Sequence, residues 1–339
     1  MLKLKYLFEN YDLARKCLAL YEYDEESLDD MLKYFRITSN AIYPFCKKDD
    51  MHEVCFLRLS PSEEKPFSSV VAEIDLIKWL NEKGFSAMQP VAMKNGEFAK
   101  EMRTEWGTFN VSCFAKVPGN SLEDTQGSLS IIRGYGQILG KLHSLMKDYP
   151  CSEKHRSHED LLKEIGNRIK EYDVPKIVME EYWAVCSELE QLLVSSSNYG
   201  VIHYDFEPDN VFYDEAENTF SVIDFDDAIC CWYALDIVRA LDALDDIIED
   251  DNIDDAVCSF LEGYQSVTDL TDEQKQSFSL MRRLVRLQEY ATILYVLSEP
   301  VDEKPSWMDE LVKKLKYKVQ CLEKSMVSME KSIIMVSIS

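Results

Sequence analysis

The segments His203-Tyr204-Asp205-Phe206-Glu207-Pro208-Asp209-Asn210 and Ile223-Asp224-Phe225-Asp226-Asp227 hold residue types and spacings able to do chemistry. An Asp stands five residues before an Asn, and a second Asp closes a β-like run. Such a set of oxygen ligands suits phosphoryl transfer. Mg²⁺ takes carboxylate and amide oxygens, and an attacking hydroxyl needs a nearby carboxylate to accept its proton. Tyr199 to Ile202 rises into the turn, Val211-Phe212-Tyr213 leaves it, and Phe220-Ser221-Val222-Ile223 alternates as a strand does. The expectation is a hairpin with Asp205 and Asn210 in its loop and Asp224 at its end. The competing reading is a polar turn followed by a strand that happens to end in Asp.

The elements that must position these residues divide the chain in two. Residues 6–34 read as two short helices, the second starting near Asp24. Phe35 to Ile37, Ala41 to Phe45 and Glu53 to Leu59 read as short strands separated by polar turns. Phe67 to Lys83 is helical by period, with Val70, Ile74, Ile77 and Leu80 on one face. Two more strands are expected, near Gly96 to Met102 and Phe109 to Phe114. Beyond Pro118-Gly119 the pattern is almost wholly helical apart from the hairpin around 201–224, as in the run Ile131, Ile132, Tyr135, Ile138, Leu139 and Leu142. The fold class is therefore α+β. A lobe of residues 1–115 comprises a helical extension over 1–34 and a sheet with its helix over 35–115. A larger helical lobe spans 116–339. Ligands favour such junctions.

The 339 residues carry 37 basic and 62 acidic side chains, a formal charge of −25. That balance speaks against nucleic acid or an anionic membrane surface as partner and suits a cationic small molecule. The ten cysteines include no C-x-x-C, so free thiols and a cytoplasmic location are expected. The start, Met1-Leu2-Lys3-Leu4-Lys5-Tyr6, reads as no signal peptide, and no run has the length of a membrane span. Ile333-Ile334-Met335-Val336 is apolar but short, and reads as a docked or sticky terminus.

A small β lobe, a junction, a helical lobe, an H-x-D-x-x-x-x-N loop and an I-D-F-D strand end together resemble the aminoglycoside phosphotransferase family, small-molecule relatives of the protein kinases. The resemblance runs from about Phe35 to about Leu244 and is more specific in the second half. It implies a bilobal protein-kinase-like fold, with ATP (GTP not excluded) and Mg²⁺ serving phosphoryl transfer to a small-molecule hydroxyl. His203 matches the loop-supporting His, Asp205 the catalytic base, and Asn210 and Asp224 the Mg²⁺ ligands. Asp236 resembles an Asp that braces the catalytic loop through backbone N–H groups. Asp209 reads as solvated or loop-bracing, and Asp226 is left open between metal, substrate and neither.

The first lobe departs from the family pattern. No Gly precedes Gly84, so no G-x-G-x-x-G loop covers the phosphates. Thr38-Ser39-Asn40-Ala41 is the nearest substitute, with Ser39 and Asn40 as phosphate candidates, and a plain polar turn is the alternative. Arg58 stands where the family's phosphate-binding Lys is expected. Glu73, on the apolar face of the 67–83 helix, is its partner, since a buried carboxylate needs a cation and Arg can grip it bidentately. A salt bridge without a nucleotide role is the alternative. Val111 to Lys116 is the expected hinge, where the backbone of Phe114 and Ala115 would read the purine. The acidic run from Asp242 to Asp255 reads either as a solvated helix face or as an attraction for a cationic acceptor, with Trp232 and Tyr233 as pocket or packing residues. Other functional readings are a bacterial-type Ser/Thr protein kinase, which the absence of an A-P-E-like segment opposes, a non-catalytic nucleotide-binding module, and a metal hydrolase.

Overall fold

The computed structural model describes residues 9–38, 40–48, 50–125, 127–151, 154–248, 252–298 and 306–336, with the side chains of 51, 306, 307 and 327–336 outside that set. Helices α1 (Tyr11–Leu18) and α2 (Leu28–Met31) precede strands β1 (Arg36–Ile37), β2 (Ala41–Lys47) and β3 (Asp50–Pro61). Helix α3 (Phe67–Glu82) follows, then β4 (Ala99–Thr104) and β5 (Gly107–Ala115). The five strands form one antiparallel sheet in the order β1-β2-β3-β5-β4. Period-2 alternation gives this sheet two chemistries. Cys55, Leu57 and Leu59 of β3 are buried in a cluster with Leu13, Cys17 and Leu18 of α1 and Leu28 of α2. Arg58 and Ser60, which alternate with Leu57 and Leu59, lie on the opposite face. Helix α3 buries Val70, Ile74, Ile77 and Leu80, and carries Glu73 into the same buried set.

The remainder comprises β6 (Asn120–Ser121), α4 (Leu129–Met146), β7 (Arg156–Ser157), α5 (His158–Glu171), α6 (Lys176–Leu189) and β8 (Tyr199–Ile202). Strands β9 (Val211–Asp214), β10 (Thr219–Val222) and β11 (Ile229–Trp232) come next. Helices α7 (Tyr233–Asp242), α8 (Ile253–Gln265), α9 (Asp272–Gln276), α10 (Phe278–Leu297) and α11 (Ser306–Val336) complete the chain. The fold is mixed, a sheet-bearing N-terminal region followed by a mainly helical C-terminal region. At the centre of the latter, α4 and α8 approach closely. A Cβ added at Gly136 would collide with the carbonyl of Phe260, and one at Gly263 with that of Arg133.

Three sequence expectations are corrected here. The helical region holds two small sheets, β10-β9-β6 and β7-β11-β8, rather than one hairpin. Strands β8 and β9 do not pair. Strand β8 pairs with β11, and β9 with β10 and β6. Val201 and Ile202 are both buried, and β11, buried along its length, gives them apolar cover. The segment 203–210 therefore crosses between two sheets. The third correction concerns thiols, since Cys151 is disulfide-bonded to Cys230. The parallel β7–β11 pairing lays the chain after Cys151 beside the strand carrying Cys230. Among the described residues, no helix is long and apolar enough to cross a membrane.

Candidate functional site

Buried groups from several elements hold the backbone of the 203–210 segment. Asp236, in the first turn of α7 and without solvent exposure, accepts from the N–H groups of His203 (2.8 Å) and Tyr204 (2.7 Å). These are the two bonds expected of it. His143 Nε2 of α4 lies 3.2 Å from the same carboxylate, and Tyr135 Oη donates to the carbonyl of Phe206 at 2.7 Å. His203 is a buried anchor, its Nε2 2.8 Å from the carbonyl of Ile223 and its ring 4.6 Å from that of Phe225. The far end of the segment is tied too. Asn210 Nδ2 donates to the backbone oxygen (2.9 Å) and Oδ2 (3.1 Å) of Asp205, and the Ile223 N–H donates to the Asn210 carbonyl at 3.0 Å. That last bond draws the end of β10 to the loop and brings Asp205, Asn210 and Asp224 together.

Two residues of the site carry backbone strain. Tyr204 (φ 74°) and Asp224 (φ 61°) are non-glycine residues in the left-handed region. Such conformations cost about 1–3 kcal/mol each and persist where surrounding bonds over-determine them. The Asp236 bond supplies this at Tyr204. At Asp224, the Val222 N–H donates to Ser86 O and the Met88 N–H to Val222 O, tying β10 to the chain leaving α3.

From the sheet side Arg58 reaches over this junction. Its two terminal nitrogens grip Glu73, one at 2.8 Å from Oε1 and the other on Oε2. Its Nε donates to Ser112 Oγ at 3.3 Å, the guanidinium lies 4.6 Å from the Phe114 ring centre, and Nη1 is 3.7 Å from Asp224 Oδ1. Burial alone would disfavour this cation, but Glu73, Asp226 and Asp224 hold its pKa above the usual range. Asp226 lies elsewhere. Lys65 pairs with its carboxylate and donates to its carbonyl at 2.7 Å, while Asn40 Nδ2 donates to Oδ2 at 2.7 Å. Burial would raise the Asp226 carboxyl, but Lys65 and Arg58 pull it well below the ordinary range. Burial and the adjacent Asp226 charge push Asp224 the other way, against Arg58. A half-exposed carboxylate so destabilised as an anion is well placed to meet a cation.

The phosphotransferase enzyme family profile matches residues 38–270. The chain belongs to the phosphotransferase enzyme family. Amicoumacin kinase of Bacillus subtilis (strain 168) is 23% identical over 238 residues, covering 69% of this chain and 68% of its own length. Among solved structures, the amicoumacin kinase hAmiN in complex with AMP-PNP, Ca²⁺ and Ami superposes with a TM-score of 0.75 at 19% identity, over 95% of each chain. The microcompartment-associated aminopropanol kinase gives 0.67 at 18% identity, over 94% of this chain and 98% of its own. The fold is the protein-kinase-like one, and family membership makes the chain a phosphotransferase.

Measured against the family pattern, the structure brings His203, Asp205, Asn210, Asp224, Arg58 and Glu73 into one junction. It does not do so for all candidates. Ser39 lies outside the described residues. The Asn40 amide is buried and occupied by Asp226 and by Ser60, whose Oγ donates to Oδ1 at 2.5 Å, so it joins the two regions rather than facing a phosphate. The Ala115 N–H donates to Gln89 O and the Lys116 N–H to Val54 O, both at 2.9 Å, so neither is free to read a purine. Phe114 packs its ring on Arg58. Trp232 and Tyr233 are buried packing residues, the latter stacked 4.6 Å from His143. In the acidic run Leu241, Leu244 and Ile247 are buried while Asp242, Asp245, Asp246, Asp254 and Asp255 are exposed, the pattern of a solvated face. Residues 249–251 lie outside the described set.

Sequence reasoning missed Lys65 and Arg239. Arg239 is largely but not fully buried, with Nη1 3.1 Å from Glu207 Oε1 and 3.5 Å from Asp205 Oδ1, and its guanidinium 4.7 Å from the Tyr204 ring centre. One helical turn beyond Asp236, it must face the same loop, and that i,i+3 spacing was the available signal. Lys65 offered none, being one charge in the polar turn before α3.

Proposed function

We propose that the protein is an ATP-dependent, Mg²⁺-requiring kinase that phosphorylates a hydroxyl of a small molecule. Residues 1–115 serve chiefly the nucleotide and residues 116–339 the catalytic loop and acceptor. The observation that carries this reading is the pair of bonds at Asn210. Its side-chain nitrogen is committed to Asp205 and its backbone carbonyl to Ile223, so the side-chain oxygen is the atom that would meet a metal shared with Asp224. No group of three or more His, Cys, Asp or Glu arranged to hold a metal occurs among the described residues. One amide and one carboxylate are nonetheless what a Mg²⁺ completed by phosphate oxygens and water takes, so these residues fit it and a hydrolase cluster is not supported. Bound there, the ion would supply charge neutralisation at the phosphates.

The chain's own residues do the rest. Arg58, oriented by Glu73 and Ser112, presents positive charge beside Asp224 and draws phosphate oxygens toward it. Asp205, held through Oδ2 by Asn210 and near Arg239 through Oδ1, positions the acceptor hydroxyl and takes its proton as the oxygen attacks phosphorus. Asp236 and Tyr135 keep the loop backbone from following the side chain. The test is Mg²⁺-dependent ATP consumption with a panel of hydroxyl acceptors, wild type beside Asp205→Asn, with GTP as alternative donor. Stimulation by an acceptor that disappears in the variant supports the reading. Nucleotide binding with no acceptor-dependent turnover overturns it in favour of a binding module.

A further inference from the structure

A cation stands beside the candidate base, and groups other than the base hold it. Arg239 Nη1 donates to Glu207 Oε1 at 3.1 Å, and Nη2 donates to Gln288 Oε1 at 3.3 Å. Gln288 is fixed in turn, its Nε2 donating to Thr292 Oγ1 at 3.0 Å within α10. The Tyr204 hydroxyl faces the same guanidinium, which lies 4.7 Å from the ring centre. From Asp205 Oδ1, Nη1 is 3.5 Å away, a charge contact rather than a well-aligned hydrogen bond.

That small gap decides what the base can do. Asp205 Oδ2 already accepts from Asn210 Nδ2 at 3.1 Å, so Oδ1 is the oxygen left for a hydroxyl proton. A guanidinium released from its other carboxylate would close on Oδ1, because charge-assisted contacts shorten to about 2.7–2.9 Å and favour two nitrogens on one carboxylate. Glu207 stands in the way. Its N–H donates to the Asp205 carbonyl at 3.0 Å, so one short piece of backbone sets both carboxylates against the cation. The side chains of Asp205 and Glu207 are 41% and 40% exposed and that of Arg239 only 11%. The cation therefore stays in the wall while the base opens outward.

We propose that Glu207 and Arg239 are a pair of positioning residues, in which Glu207 holds the guanidinium off Asp205 and so keeps Oδ1 open to accept the proton. Arg239, anchored on α10 through Gln288, sets the direction in which Asp205 points. This rests on the kinase reading and adds to it the means by which the base is presented. An ion pair that merely braced the loop would make either residue matter only through the pair, and losing one would equal losing both. The spacer role demands something else. Loss of Glu207 alone must be worse than loss of both, since only then is a free guanidinium left to close on the base.

The full chain is assayed for Mg²⁺-dependent ATP consumption with homoserine, propane-1,2-diol and kanamycin as acceptors, and with water alone. Rates are normalised to the sites that bind nucleotide, so a folding defect cannot imitate the result. Glu207→Gln should lower kcat about 10–100-fold, the cost of a misplaced group at the chemistry. Its nucleotide Kd should stay within about twofold of wild type, because Arg58, Glu73 and Asp224 are untouched. Adding Arg239→Gln should then raise kcat at least about threefold above Glu207→Gln, to the level of Arg239→Gln alone. A double variant no faster than Glu207→Gln, or a Glu207→Gln variant with wild-type kcat, overturns the inference and leaves the kinase reading standing. A wild type that binds nucleotide but consumes none with any acceptor or with water removes the kinase reading, and the inference with it.

Discussion

The two walls of the junction are built differently. On the sheet side every guanidinium nitrogen of Arg58 has a partner, with both terminal nitrogens on Glu73 and Nε on Ser112. On the helical side Arg239 Nε and the Tyr204 hydroxyl make no well-aligned hydrogen bond and have chiefly each other, and Asp205 is 41% exposed. A fully matched polar network fixes one geometry, whereas unmatched groups beside an open carboxylate suit whatever arrives. The contrast assigns the constant half of the reaction to the sheet wall and the variable half to the helical wall. A family sharing one reaction over many acceptors would be expected to differ mainly on the second.

The largest effect that can break this contrast lies at its centre. Asp205→Asn should lower turnover about 10²–10⁴-fold while leaving Mg²⁺-nucleotide affinity near wild type. Asp224→Asn should do the reverse and lose Mg²⁺-dependent nucleotide binding. Single-turnover rates and nucleotide titrations on both variants decide it. Equal loss of both properties in each variant would show that the two carboxylates act as one unit and that the walls are not separable.

Next comes the sheet wall itself. Glu73→Ala leaves Arg58 buried without its partner, and removing one member of a buried pair costs about 3–5 kcal/mol. Chemical denaturation should show that loss, with nucleotide binding weakened in parallel. A loss below about 1 kcal/mol would mean that Arg58 relaxes toward Asp224 and that the wall is less rigid than its bonds imply.

How much of this could be read in advance follows from the range of each signal. Period-2 and period-3.6 patterns are local, so β3, the apolar face of α3 and the helical run of α4 were legible, as was the family resemblance. Asp205, Asn210 and Asp224 were found because their spacing is fixed within one short stretch. Pairing is not local. Four-residue strands such as β8 and β9 do not encode their partners, and the assumed hairpin failed because β11, beyond Asp224, pairs with β8. Asn40 failed for a similar reason, since its partner Asp226 is 186 positions away. Lys65 and the Cys151–Cys230 bond are likewise products of tertiary contact.

A smaller effect tests what lies beneath the helical wall. His143 is wholly buried, with Nε2 3.2 Å from Asp236, Nδ1 2.9 Å from Tyr264 Oη and its ring against Tyr233. Burial lowers its pKa below 6.5, although Asp236 opposes the shift. The unfolded chain therefore binds a proton near pH 6.5 that the native state refuses until lower pH. This contribution is fully present above about pH 6.5 and declines as pH falls, by at most about 1.4 kcal/mol per pH unit. His155 and His158, whose pKa values burial also lowers, add slopes of the same sign. His143→Gln should flatten the pH dependence of unfolding between about pH 6.5 and 5 without abolishing it. An unchanged slope would place the acid sensitivity entirely on the other two.

The smallest expected effect separates the walls most sharply. Tyr204→Phe removes a buried hydroxyl whose neighbour is Arg239 and keeps the ring against the same guanidinium. On the sheet wall, deleting a polar atom strands its partner. Here the neighbouring Arg239 keeps Glu207 and Gln288, so stability should stay within about 0.5 kcal/mol of wild type. Thermal and urea unfolding measure that directly. A loss above about 1.5 kcal/mol would mean that the hydroxyl is paired in solution, and the helical wall would then be as closed as the sheet wall.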